Sequence, residues 1–177
     1  APISAATDEM QIEGIPASDL NGLYGGTDPA DNSGSLKYVS IRHGGANIGE
    51  GNEINGLTLG GVGTGTVIEH VEIVSNQDDG IEWFGGTVNV KNVVVWNTGD
   101  DAIDTDQSWG GTLDNFIIIN PGDECLELDG PEGTMAAKHI LKNGSCYAGD
   151  AQGLVDLDPN SYVDMDGIYF FGLKTGQ

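Results

Sequence analysis

The residues best equipped for chemistry in this chain are acidic and come in pairs. Asp78-Asp79, Asp100-Asp101 and Asp123-Glu124 recur at intervals of 22 and 23 residues, and Glu82, Asp104 and Glu127 follow them at the same intervals. Two carboxylates about 5 Å apart repel by roughly 0.8 kcal/mol in water and by about 3 kcal/mol at an effective dielectric of 20. Such a cluster is either screened by solvent or shared with a cation. Calcium is the natural ion, because it takes about six to eight oxygens at variable angles. Asp78, Asp79, Asp100, Asp101, Asp123 and Glu124 are its candidate ligands, with turn carbonyls completing the shell. Aspartate also favours turns for a purely local reason, since its side chain bonds to nearby backbone.

The same groups are candidates for catalysis. Retaining glycosidases hold two carboxyl groups about 5–5.5 Å apart, and inverting ones about 6.5–9.5 Å apart. Stacked acidic residues supply both separations. The catalytic alternative uses Asp100, Asp101 and Asp104, assisted by Glu82 or Glu127.

The elements that must position these residues are repeats. Segments GLTLGG, GIEWFGG, AIDTDQ, CLELDG and GLVDLD begin at Gly56, Gly80, Ala102, Cys125 and Gly153, at intervals of 24, 22, 23 and 28 residues. Between them recur LKYVSI, IEHVEI, VKNVVV, LDNFII and AKHIL, anchored on Val39, Val71, Val93, Phe116 and Ile140. A period in this range marks a solenoid, in which each repeat buries its apolar side against its neighbours. Alternation predicts short strands with Ile81/Trp83, Ile103/Thr105 and Leu126/Leu128 inward, and with Glu82, Asp104 and Glu127 outward. In the second segment, Val71/Ile73, Val93/Val95 and Phe116/Ile118 point inward. The expected fold is all-β: a right-handed parallel β-helix of about 22–24 residues per turn. Residues 1–32 form a non-repetitive segment placed to cap the first turn, and residues 33–177 form the turns.

A column of charges supports this alignment. Two residues before the successive anchors stand Lys37, Glu69, Lys91, Asp114 and Lys138, with the sign alternating at every step. Parallel strands about 4.8 Å apart would stack them into an ion-pair ladder.

Two stretches, NEINGLTLGGVGTGT and DDGIEWFGGTVNVKN, carry a resemblance. From about Gln11 to Gly133 the sequence resembles bacterial secreted or outer-surface right-handed parallel β-helix proteins of the pectate-lyase-like superfold. The resemblance implies an extracellular or outer-surface location; a structural or adhesive role, with a second copy of the chain or a surface polysaccharide as partner, is the expectation set beside it. The segment NTGDDAID (Asn97 to Asp104) also resembles the acidic motif of polygalacturonase-like hydrolases. Their downstream His-Gly and Arg-x-Lys are missing, because His43-Gly44 and the sole arginine, Arg42, lie upstream. A lyase mechanism lacks its basic residue for the same reason. The reading is therefore a non-catalytic, calcium-stabilised module, with a polysaccharide hydrolase or lyase as the alternative.

Other residues carry narrower expectations. Cys125 and Cys146, 21 residues apart, are placed to stack and bridge in an oxidising setting; the alternative is two small core residues. Trp83 belongs to the core. Trp96 and Trp109 are candidate sugar-stacking residues, or equally protein contacts. Asn97, Asn120 and Asn143, at 23-residue intervals, suggest an internal asparagine ladder. His43, His70 and His139 read as surface positions.

Composition bounds the partners. Six basic residues face 28 acidic ones, a formal net charge of −22, which repels nucleic acid and anionic membranes. Glycine, at 29 of 177 residues, is far above its usual share of about 7%, as frequent turning requires. No apolar run approaches the ~18–20 residues that span a bilayer. The opening APISAATDEM lacks the basic start and apolar run of a signal peptide, so a signal has been removed or the sequence is an excised piece. Both ends of a solenoid expose strand edges, and YFFGLKTGQ stops close to one. Head-to-tail association into filaments is the corresponding expectation.

Overall fold

The computed structural model describes residues 1–4, 8–49 and 54–177; Asn52 and Glu53 of the NEINGLTLGG stretch lie outside them. The described residues form fourteen strands: β1 (Glu9–Gln11), β2 (Leu23–Gly25), β3 (Ser35–Arg42), β4 (Leu57–Gly60), β5 (Val67–Val74), β6 (Ile81–Phe84), β7 (Val90–Trp96), β8 (Ile103–Asp106), β9 (Thr112–Ile119), β10 (Glu124–Leu128), β11 (His139–Tyr147), β12 (Gly153–Leu157), β13 (Val163–Asp166) and β14 (Tyr169–Phe171). Leu20–Gly22 form one 3-10 turn. Strands alternate between two parallel sheets. One runs β4-β6-β8-β10-β12, and the other β3-β5-β7-β9-β11, ending in β13 and β14, which both pair with β11. β1 and β2 form a separate antiparallel hairpin. This is the parallel β-helix that the repeats predict.

The core lies between the sheets and follows the predicted alternation. Ile81, Trp83, Ile103, Thr105, Leu126 and Leu128 from one sheet meet Val71, Ile73, Val93, Val95, Phe116 and Ile118 from the other, all buried. At roughly 25 cal/mol per Å² of apolar surface removed from water, these columns are the main source of stability.

The charge column exists, with one member exchanged. Glu69 bonds to both Lys37 (2.7 Å) and Lys91 (2.9 Å), and Asp114 pairs with Lys142 (3.4 Å). Lys138 instead pairs with Asp164. The cause is a four-residue shift in β11: Gly144, not Ile140, stands opposite Phe116. A Cβ on Gly144 would collide with the Phe116 ring, so this column position holds an aromatic ring and a glycine together. An anchor search for apolar residues passes over it.

The same shift redistributes the asparagines. Asn120 donates to Asn97 (3.1 Å), whereas Asn143 belongs to another column, in which Asn115 donates to Asn92 (2.7 Å) and Asn143 to Asp114 (2.7 Å). Both ladders lie on the outside rather than inside the coil. Their asparagines adopt positive φ, between 53° and 63°, the left-handed conformation that asparagine tolerates better than most residues.

Three further expectations are corrected. Cys125 and Cys146 are free thiols. They belong to opposite sheets, with Cys146 standing beside Ile118 and Phe170, so neither stacks on the other, and burial pushes both thiols up to about 12. Trp109 is 0% exposed, stacks on Trp83 at 4.6 Å and donates its indole N–H to the Val88 carbonyl; it cannot serve a sugar. His139 is buried beside Trp109, within 3.3 Å of the Thr105 hydroxyl, and desolvation lowers its pKa to about 4.

The described residues of the N-terminal segment run along the flank of the five-stranded sheet. The Pro2 carbonyl accepts from Gly86 N–H, Ser4 N–H donates to the Gln107 carbonyl, and the Ser4 hydroxyl accepts from Glu132 N–H. Tyr24 lies against Phe84, ring centroids 5.4 Å apart. Near its end the segment touches two successive turns, where the Pro29 carbonyl accepts from Thr64, between β4 and β5, and from Thr87, between β6 and β7.

Candidate functional site: an acidic groove

The parallel register converts the 22- and 23-residue spacings into columns. On the outer face of the five-stranded sheet, Thr58, Glu82, Asp104, Glu127 and Asp156 stand side by side on successive strands. In the corner before these strands, Asp79 accepts from Asp101 N–H (3.0 Å), and Asp101 accepts from Glu124 N–H (2.5 Å). Each of these carboxylates therefore ties its own turn to the next while it also lines the groove beside it.

The columns form one wall of that groove, whose volume is about 910 Å³. Its acidic lining comprises Asp78, Asp79, Glu82, Asp100, Asp101, Asp104, Asp123, Glu124, Glu127 and Asp156. Ile12, Glu13, Ile15 and Tyr24 of the N-terminal segment contribute to the rest of the lining. The Asn55 amide donates to Glu82. All the proposed metal ligands and all the alternative catalytic residues thus share one site.

Carboxylate oxygens converge in two sets that share Asp79. Those of Asp78, Asp79 and Asp100 lie within 4.8 Å of one another, and so do those of Asp79, Glu82 and Asp104. Asp101, Asp123 and Glu124 line the groove outside these two sets. No lysine or arginine lines the groove among the described residues. All six basic side chains form ion pairs elsewhere: Lys37, Arg42, Lys91, Lys138, Lys142 and Lys174 with Glu69, Glu72, Asp114, Asp150 and Asp164.

The electrostatic consequence is large. Desolvation, reinforced by the neighbouring carboxylates, pushes Asp79 and Glu82 up to about 9. Asp101 rises to about 10, through desolvation and its hydrogen bond with Glu127. Asp104 is held well above the usual carboxylate range by burial and by Glu82 and Glu127. Glu124 rises to about 7, through desolvation and its neighbour Asp123. Burial among like charges thus disfavours the ionised form of these groove carboxyls.

Trp96 is 44% exposed, as its outward position in β7 predicts, but it does not line the groove. Sequence reasoning missed Asp156, Tyr24, Asn55 and Glu13. Asp156 was detectable: Val155 and Leu157 alternate with it as inward residues do elsewhere, yet Glu124 pairs with Gly153, one residue away from an alignment that places Gly153 on Cys125. Tyr24 and Glu13 reach the groove only through the lie of a segment without repeats.

Two stacked parallel sheets carrying such a groove define a parallel β-helix of the pectate-lyase-like kind. The family model for the pectate-lyase like beta helix domain matches residues 7–145, and the chain belongs to that family. No curated protein and no solved structure shows a significant match.

Proposed function

We propose that this chain is a non-catalytic structural or adhesive β-helix module of the cell exterior, stabilised by calcium held in its acidic groove. The observation that carries the reading is the convergence of Asp78, Asp79 and Asp100, and of Asp79, Glu82 and Asp104, within 4.8 Å in a groove lined by no basic residue among those described. Hard oxygen donors at variable angles suit Ca²⁺ better than Mg²⁺, which demands a tight octahedron. A cation would replace the protons that the buried carboxylates otherwise need. Calcium modules that work outside the cell bind at about 10⁻⁴–10⁻³ M, a range filled there and empty in the cytosol. Surface polysaccharide fits as the partner of such a module, with bound calcium bridging any anionic sugar to the acidic wall.

Thermal unfolding in excess calcium against excess EDTA tests this. An ion that binds only the folded state stabilises it by about 2.7 kcal/mol at a hundred times the dissociation constant, which is roughly 5–10 °C for a chain of this size. Magnesium should not reproduce the rise. Asp79→Asn keeps an oxygen for Asp101 N–H and loses the shared ligand, so its melting temperature should no longer respond to calcium. Equal melting in calcium and EDTA would sink the reading.

A polysaccharide hydrolase is the second reading. It draws on Asp101, pushed up to about 10, and Asp104, held well above the usual carboxylate range, beside an open groove, the direction of shift that a general acid needs. Reducing ends released from a polysaccharide panel, and lost in Asp101→Asn, would establish it in place of the first.

A further inference from the structure

The outer face of the seven-stranded sheet carries a strip that serves neither the core nor the groove. Val93, Val95, Phe116, Ile118 and Cys146 are buried in the core, so the residues alternating with them point outward. They form two columns. Val94, Ile117, Ser145 and Tyr169 stand side by side in the first. Trp96, Ile119, Tyr147 and Phe171 make the second. Trp96 is 44% exposed and Ile117 45%, and Tyr147 is exposed as well. Among the described residues neither column carries a charged side chain from β7 to β14. The Arg42–Glu72 ion pair lies one strand before them.

The rings are set in place by the fold. A Cβ added at Gly149 (φ 58°) or at Gly172 (φ 71°) would strike the Tyr147 ring, so that ring is seated between two positions suited to glycine alone. The Phe171 ring lies 5.4 Å from it, centroid to centroid. Side chains already ordered lose little freedom when a ligand covers them.

Amides border the strip on both sides. Asn92, Asn115 and Asn143 stand two residues before Val94, Ile117 and Ser145, while Asn97 and Asn120 directly follow Trp96 and Ile119. All five adopt positive φ, so the chain bends at both margins. Asn115 and Asn120 each spend one N–H on an asparagine ladder, and a primary amide has a second to donate.

We propose that this strip is a platform for a straight, uncharged polysaccharide that lies across the strands, its sugar rings stacked on Trp96, Tyr147 and Phe171 and its hydroxyls bonded to the flanking amides. A pyranose has apolar C–H faces and a rim of hydroxyls, which an aromatic strip with neutral polar margins matches. The strand spacing of about 4.8 Å is close to the length of one sugar unit in an extended β-linked chain, so ligand and columns stay in step. Charge selects among partners. A net charge of −22 repels a second copy of the chain and any anionic polymer, and the strip offers a charged partner no ion pair. The inference rests on the reading above for polysaccharide as the partner, but it needs no calcium and uses no groove residue.

Native electrophoresis through gels containing hydroxyethylcellulose, glucomannan or xyloglucan tests it. At least one of these neutral polymers should retard the chain, equally in calcium and in EDTA. Trp96→Ala and Tyr147→Ala should each weaken binding about tenfold, while circular dichroism shows both folded. Trp96→Phe and Tyr147→Phe keep a ring and should retain most of the affinity. Asp79→Asn should bind as the parent chain does, so the calcium reading and this one fail separately. No retardation in any of the three gels overturns the proposal, and so does retardation that both alanine variants keep. Retardation by polygalacturonate alone, and only in calcium, would move the glycan to the acidic groove and overturn it too. Dimers abolished by Trp96→Ala would assign the strip to a second copy instead.

Discussion

At Asp79 two demands meet in one side chain. One oxygen satisfies the Asp101 N–H of the next turn, and the carboxylate also belongs to both convergent sets. Its high pKa makes a pH prediction with a definite sign. Asp79, Glu82 and Asp101 titrate at about 9, 9 and 10 in the fold, against roughly 4 in an unfolded chain. Between those limits the native state holds protons that the unfolded state releases, so stability falls as pH rises. Glu69 behaves oppositely: hydrogen bonds from Lys37 and Lys91 lower it to about 2, and its contribution is lost only as pH falls from about 4 toward 2. In EDTA the melting temperature should thus peak near pH 4–5 and decline toward pH 9. Saturating calcium should flatten the decline, since the ion displaces the same protons and binds better as they leave. A flat profile in EDTA from about pH 5 to 9 would show the groove carboxylates to be ordinary solvated acids.

The informative element is β11, because its register departs from the apolar pattern. Phe116 fills the space above Gly144 so completely that a single Cβ there would collide with three ring atoms. Gly144→Ala should destabilise the fold by about 1–3 kcal/mol, the usual cost of overpacking. Chemical denaturation checks the value. In a Phe116→Leu background the same change should cost less, since the ring that it strikes is gone. Additive costs in the double variant would mean that the two residues do not share a column. The strand also shows how tightly the ladders depend on register: moving β11 by four residues exchanges Lys138 for Lys142 and carries Asn143 from one asparagine column to another.

Over the whole molecule, charge is sorted by face. The lysines pair along the seven-stranded sheet and at the C-terminal corner, leaving the groove face acidic and the formal total at −22. Self-repulsion of this size opposes the compact state. Raising sodium chloride from about 0.01 to about 1 M shortens the screening length from roughly 30 to 3 Å. In EDTA this should raise the melting temperature by several degrees, and calorimetry would measure it. A fall would mean that the exposed ion pairs, which salt also weakens, outweigh the repulsion.

Periodicity alone was enough to define the solenoid, its inward columns, and the stacking of the acidic pairs. A repeat of about 22–24 residues combined with two-residue alternation leaves one way to bury the apolar side chains, and nearest-neighbour stacking turns equal spacing into contact. Alternation also put Trp96 on the outside. Where the repeat breaks, or where a non-repeating segment folds back, the outcome depended on the assembled fold. Trp109 looks like a loop residue in SWGG, but it fills the core against Trp83. The two cysteines are nearly one period apart yet lie in opposite sheets, because the turn containing the 130–138 loop is longer than the others. Tyr24 and Glu13 line the same groove as the acidic columns from a distant part of the chain, a proximity that no periodicity encodes. Burial of the carboxylates is likewise a product of the assembled walls: spacing aligns charges, but only the assembled groove withdraws them from the water that would screen them.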